Sequence, residues 1–217
     1  MQLPTPHAAR LFSNRAEASQ AAASVLAERL SVALAERGRA TLVVSGGSTP
    51  VDCFHALAQA ELDWGRVRVT LTDERCVAAT HEASNERMVR RELLCGPATC
   101  AEFVSVTDAT VDQFVEPFAA VLVGMGADGH FASIFPEMAD LDAALSLDRP
   151  PALVPVTTEA SPWPRVTMTL SLLCRSALIV LLAFGQDKRR VLEEAEKFPV
   201  GALLRQNLTP VRVLWAP

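Results

Sequence analysis

Three stretches of this chain are apolar almost without a break: ATLVVS from Ala40 to Ser45, AAVLVG from Ala119 to Gly124, and ALIVLLAF from Ala177 to Phe184. A strand that is apolar on both faces needs cover on both. Such strands belong to parallel sheets flanked by helices. Helical patterns stand between them, from about Pro50 to Ala60, from Ser84 to Leu94 and from Lys188 to Lys197. Val67 to Thr72 (VRVTLT), Val166 to Leu170 and Val211 to Trp215 add further strands. Ahead of them, Asn14 to Arg37 is Ala-rich, with Val25, Leu26, Leu30 and Leu34 at helical spacing. Asn14 and Glu17 resemble a capping pair there, and Gly38 a helix stop. Asp140 to Ser161 is proline-rich and is expected to be irregular. The expected fold is α/β: a mostly parallel sheet with helices on both faces, in one domain over residues 1–217.

Composition narrows the function. The 217 residues are 50% hydrophobic and 21% charged, enough to bury a sizeable core. The net charge is −5 and no Lys/Arg run stands out, which argues against nucleic acid or an anionic membrane as partner. An anionic ligand would need positive charge gathered locally. Five cysteines lie scattered at 53, 76, 95, 100 and 174 with no CxxC pair, the pattern of reduced, mostly buried thiols in a cytosolic protein. Ala177 to Phe184 falls far short of the ~20 residues that span a bilayer. The first residues lack the apolar core of a signal peptide, so a cytoplasmic location is expected.

In an open parallel sheet, ligands bind in the crevice beyond the carboxyl ends of the strands. Four such ends carry unusual residues: SGGSTP (45–50), TDER (72–75), GMGADGH (124–130) and GQDK (185–188). A parallel sheet brings all four loops to one edge.

SGGSTP, between a strand and a helix, suits a phosphate cradle: glycines let backbone N–H groups turn inward, the helix start adds partial positive charge, and Ser48 and Thr49 add hydroxyls. It reads equally as an ordinary glycine-rich turn, and it lacks the lysine of a Walker loop. GMGADG matches G-x-G-x-x-G, but Pro136 follows too soon for a long helix and no strand ends in an acid at the required offset, so no dinucleotide site is expected. Of four histidines, His7 is terminal, His55 lies in a helical segment and His81 in a polar loop; His130 has Asp128 beside it to orient the ring and stabilise an imidazolium. It is read as a general base, against a histidine satisfied by a turn carbonyl. In TDER one acid is expected to pair with Arg75 and aim it at an anion; a solvated charged turn is the plainer reading. Ser84-Asn85 suits an N-cap, while Arg165 and Lys188 taken singly are surface cations. No G-x-S-x-G elbow suggests an acyl-enzyme, and no ligand spacing suggests a metal.

Taken in order, SGGSTP, TDERCV with Ser84-Asn85, VGMGADGHFASIFP (123–136), PRVTMTL (164–170), GQDKRRVL (185–192) and the closing VLWAP resemble the glucosamine-6-phosphate isomerase/6-phosphogluconolactonase family over nearly the whole chain. The resemblance implies a Rossmann-like α/β fold without any dinucleotide, and no cofactor is expected. It implies hydrolysis of the small-molecule phosphosugar lactone 6-phospho-D-glucono-1,5-lactone to 6-phosphogluconate, in the oxidative pentose phosphate pathway. By motif position Gly46, Gly47 and Ser48 would cradle the phosphate with Arg165 and Lys188 as its cations. Asp73 and Arg75 would line the same pocket, and His130 would be the acid/base beside Asp128. A monomer or small homo-oligomer is expected.

Two rivals keep a place. One is a deaminase/isomerase acting on glucosamine-6-phosphate with Asp73 as the base; its branch of the family typically has Tyr after Asp-Glu, where this chain has Arg75 and no tyrosine anywhere. The other is a sugar-phosphate sensor that uses the cradle but not the histidine.

Overall fold

The computed structural model describes residues 9–159 and 161–217; His7 lies outside them. In chain order the elements are β1 (Arg10–Leu11), α1 (Arg15–Arg37), β2 (Ala40–Val44), α2 (Val51–Ala58), β3 (Val67–Leu71), β4 (Asp73–Arg75), α3 (Asn85–Glu92), β5 (Glu102–Val104) and β6 (Ala120–Val123). There follow α4 (Leu141–Leu145), β7 (Leu153–Val156), β8 (Arg165–Met168), α5 (Leu170–Leu173), β9 (Ile179–Phe184), α6 (Gln186–Glu193), α7 (Pro199–Arg205) and β10 (Val211–Ala216). The expected caps of α1 are in place: Asn14 Oδ1 accepts from the Glu17 N–H, and Gly38, at φ 73°, donates its N–H to Leu34. Such caps contribute about 1 kcal/mol each.

Seven strands form one sheet in the order β1-β10-β9-β6-β2-β3-β5, and every pairing in it is parallel. Every residue of β6 is buried, as are Val43, Val44 and Ile179 to Leu182, so the central strands are covered on both faces. Each such side chain contributes about 1.5–3 kcal/mol by leaving water. The α/β class and the parallel sheet are therefore as the apolar runs require. Among the described residues no helix is long and apolar enough to cross a membrane.

Three expectations need correction. Val166 to Leu170 is not a strand of the main sheet: β8 pairs antiparallel with β4 on one side and β7 on the other, making a second, three-stranded sheet. Asp140 to Ser161 is not irregular throughout, since it holds α4 and β7; Pro155 is accommodated because β7 is an edge strand. The thiols are not mostly buried: Cys53 and Cys174 are, Cys95 is half-buried, and Cys76 and Cys100 are exposed.

The topology creates a crevice. From β2 the chain adds β3 and β5 on one side, then crosses back to place β6, β9 and β10 on the other. Strand order thus reverses between β2 and β6, paired through Val44↔Leu122. The loops leaving those two strands, SGGSTP and GMGADGH, splay apart at this switch point. The small sheet is anchored next to it: Thr72 donates its N–H to Val44 and accepts from the Met168 N–H, so one residue joins the two sheets.

Candidate active site

A cleft of about 340 Å³ opens over the switch point. Its wall brings together Gly46, Gly47 and Ser48 after β2, Asp73 and Arg75 on β4, His130 after β6, Arg165 on β8 and Lys188 at the start of α6. These residues are up to 142 positions apart in sequence, from 46 to 188. Asp128 stands behind the His130 ring.

The glycine loop is shaped by its neighbour. A Cβ on Gly46 would lie 2.0 Å from Asn85 Oδ1, so only glycine lets the amide pack there. Gly47, at φ 88°, takes a backbone conformation that suits glycine. Among the described residues the amides of Gly46, Gly47, Ser48 and Thr49 meet no acceptor. Successive free N–H groups at the entrance to a helix form an anion-binding concavity.

The histidine turn is equally constrained. The Gly126 N–H donates to the His130 carbonyl at 2.8 Å, and a Cβ on Gly126 would sit 2.2 Å from His130 Nδ1 and 2.3 Å from Asp128 Oδ1. Gly129, at φ 73°, packs on Phe198, and its carbonyl accepts from the Val200 N–H at the start of α7. Ala132 holds φ 50°, unusual for a residue with a Cβ. No helix begins after this turn until α4, so the G-x-G-x-x-G match lacks the helix a dinucleotide site needs.

Asp128 Oδ1 lies 2.6 Å from His130 Nδ1 and also accepts from the His130 N–H at 3.2 Å. A carboxylate only accepts, so Nδ1 carries the proton it receives, and in the neutral ring Nε2 keeps its lone pair. The imidazole packs on Phe135 with ring centroids 4.4 Å apart, and the Arg165 guanidinium lies 5.3 Å from the centroid of the same ring.

Three cations line the cleft. Arg165 is mostly buried, and burial, then the neighbouring Arg75, pulls its pKa below the usual guanidinium value, while Asp73 and Glu74 oppose the shift. Lys188 Nζ lies 3.4 Å from Asp187 Oδ2; that carboxyl is held below the usual range chiefly by the Lys188 backbone N–H. Arg75 donates to the Ala83 carbonyl, while its Nε is buried with no partner.

The expected pairing of an acid with Arg75 does not occur. Asp73 lies 3.6 Å from Arg165 instead. Glu74 turns away from the cleft, because successive side chains of β4 face opposite sides. It lines a separate cleft of about 570 Å³, and it caps α3 by accepting from the Asn85 and Glu86 N–H groups and the Ser84 hydroxyl. Ser84 is the expected N-cap, accepting from the Arg87 N–H at 3.1 Å. His55 pairs with Glu92 away from the cleft, and His81 is not simply solvated but stacks edge-on against Trp163. Among the described residues no group of three or more His, Cys, Asp or Glu side chains stands together as metal ligands do.

Two residues escaped the sequence reading. Asn85 does more than start a helix: its amide donates to the Asp73 carbonyl and the residue lines the cleft. Ser133 is fully buried and bonded to Asp73. SN at 84–85 and the serine within FASIF were the available signals, but neither identifies a partner.

Residues 13–215 match the family model for glucosamine-6-phosphate isomerases/6-phosphogluconolactonase. The chain is 41% identical to a 6-phosphogluconolactonase of Caulobacter vibrioides, over 98% of each chain. It is 36% identical to one from Rhizobium meliloti, over 95% of this chain and 97% of the other. The crystal structure of a 6-phosphogluconolactonase from Shewanella baltica superposes with a TM-score of 0.92 at 34% identity, covering 100% of both chains.

Proposed function

The chain belongs to the family of glucosamine-6-phosphate isomerases and 6-phosphogluconolactonases, and from that membership we propose how its cleft opens a phosphorylated lactone. It is an enzyme that hydrolyses 6-phospho-D-glucono-1,5-lactone to 6-phospho-D-gluconate, in the oxidative pentose phosphate pathway. In our reading the phosphate rests on the amides of Gly46, Gly47 and Ser48, between Arg165 and Lys188, with Arg75 beside them. This fixes the lactone carbonyl near His130, and holding reactants in place removes entropy from the barrier.

One observation carries the mechanism: Asp128 Oδ1 lies 2.6 Å from Nδ1 of His130, which leaves Nε2 of the neutral ring as the acceptor, and His130 lines the same cleft as the cations. Nε2 takes a proton from water as the water oxygen bonds to C1. The carbonyl becomes an oxyanion, met by amides of the glycine turns. Collapse breaks the bond from C1 to the ring oxygen, and the imidazolium returns its proton to that oxygen. The product acid then ionises. Such base assistance contributes about 10²–10⁴ in rate.

The deaminase reading would have Asp73 abstract a proton. Both its oxygens are already engaged, Oδ1 by the Thr72 hydroxyl and Oδ2 by Ser133, with Arg165 beside them, which argues for a wall residue and against a base. We read residues 1–217 as one lactonase domain, cytoplasmic in keeping with its five free thiols, without nucleic-acid or membrane partners, and acting as a monomer or small homo-oligomer. Assays on the lactone and on glucosamine-6-phosphate, with wild type and His130→Ala, test the mechanism. The lactone alone should be turned over, and the variant should lose turnover while still binding 6-phosphogluconate. Ammonia release, or full activity without the imidazole, would overturn it.

A further inference from the structure

Ser133 lies three residues beyond His130, and its side chain has no exposed surface, so it cannot meet substrate. Its hydroxyl donates to Asp73 Oδ2 at 2.5 Å and accepts from Arg165 Nη1 at 3.3 Å, while its N–H donates to Thr167 Oγ1 at 3.1 Å. Asp73 Oδ1 accepts the Thr72 hydroxyl at 2.7 Å. That proton being committed, Ser45 Oγ is the donor in its 3.0 Å bond to Thr72. A buried chain of hydroxyls and one carboxylate thus runs from the glycine loop, through the junction of the two sheets, to the histidine loop and Arg165. Asp73 reaches the guanidinium only at 3.6 Å; the hydrogen bonds of Arg165 go to two hydroxyls, from Nη1 to Ser133 at 3.3 Å and from Nε to Ser161 at 3.0 Å, and of these only Ser133 is tied to Asp73.

We propose that Ser133, together with Asp73, is a positioning unit that sets the guanidinium of Arg165 relative to His130, and so registers the phosphate end of the substrate with the reacting carbonyl. This rests on reading Arg165 as a phosphate cation. Losing the hydroxyl leaves Asp73 short of a donor and Arg165 short of an acceptor in a buried setting, and both groups then rearrange. The effect falls on phosphate binding and not on the proton transfer.

Kinetics of Ser133→Ala test this with the phosphorylated lactone, with unphosphorylated glucono-1,5-lactone, and with inorganic phosphate as competitor. A misplaced binding group costs about ten- to hundredfold. KM for the phosphorylated lactone and Ki for phosphate should therefore rise by about that factor, with kcat little changed. Turnover of the unphosphorylated lactone should be unaffected. Ser133→Cys, close in volume but a weaker donor and acceptor, should give the same pattern in smaller measure, and it stands in if the first variant does not fold. Equal losses on both lactones, a fall in kcat alone, or unchanged KM and Ki would overturn the proposal. Arg165→Met tests the underlying assignment separately: an unchanged phosphate Ki in that variant would refute the phosphate reading, whatever Ser133→Ala does.

Discussion

Arg75 and Arg165 stand directly opposite each other across the antiparallel pair of β4 and β8. Like charges at such positions destabilise a sheet, and Arg165 has its pKa lowered by burial and then by Arg75. Arg75 in addition keeps a buried Nε with no partner. An anion between the two would relieve both defects. Inorganic phosphate should therefore stabilise the protein by about 2.7 kcal/mol at a hundred times its Kd, at roughly 2–4 °C in Tm per kcal/mol for a chain of this size. Arg165→Met should abolish the shift and Arg75→Met reduce it. A full phosphate shift in Arg165→Met, read by calorimetry, would rule this out.

The bond between Asp128 and His130 fixes which ring nitrogen carries the proton. Asp128→Asn can offer an N–H to Nδ1, favouring the tautomer with its proton on Nε2, which cannot act as a base. We expect kcat to fall by about 10²–10⁴ with KM nearly unchanged. A near-normal kcat in Asp128→Asn would contradict a histidine base oriented in this way.

Gly126 is the point at which a single methyl group does most harm. A Cβ there would overlap both His130 and Asp128. Gly126→Ala must push the pair aside, at about 1–3 kcal/mol of overpacking. Turnover should fall at least a hundredfold while the fold persists by circular dichroism. Near-normal kcat in a folded variant would mean the pair need not sit as it does.

The central strands were legible because burial on two faces dictates composition: β2, β6 and β9 have almost no choice but to be apolar. The sheet membership of β8 was not, since alternation in VTMTL tells which residues share a face and nothing about the partner strand. TDER read as the end of a strand and not as a strand itself, because a three-residue strand owes its form to pairing with β8 rather than to propensity. At the site, glycines, a histidine and cations announce their chemistry by type; the parallel sheet brings the glycine loop, His130 and Lys188 to one edge, while Arg75 and Arg165 come from the antiparallel pair of β4 and β8. Serine and asparagine do not, because their roles depend on partners. Ser133 bonds to a carboxylate 60 residues away and Asn85 to a carbonyl 12 residues away, and neither distance leaves a mark in sequence.

Burial pushes the thiols of Cys53 and Cys174 up to about 12. In the unfolded chain they ionise near pH ~8.5. Below that pH both states keep the protons and stability is untouched. Above it the unfolded chain releases protons that the native state retains, so stability falls as pH rises, by up to about 1.4 kcal/mol per pH unit for each thiol. The chain has no tyrosine to add a further titration within that window. Urea unfolding from pH 8 to 10 should show this decline, and Cys53→Ala combined with Cys174→Ala should flatten it. Native protein at pH 8 should expose Cys76 and Cys100 to a thiol reagent at once, Cys95 more slowly, and Cys53 and Cys174 only on unfolding. Rapid modification of either buried thiol in the native state, or a decline that survives the double substitution, would show that burial is not what governs these groups.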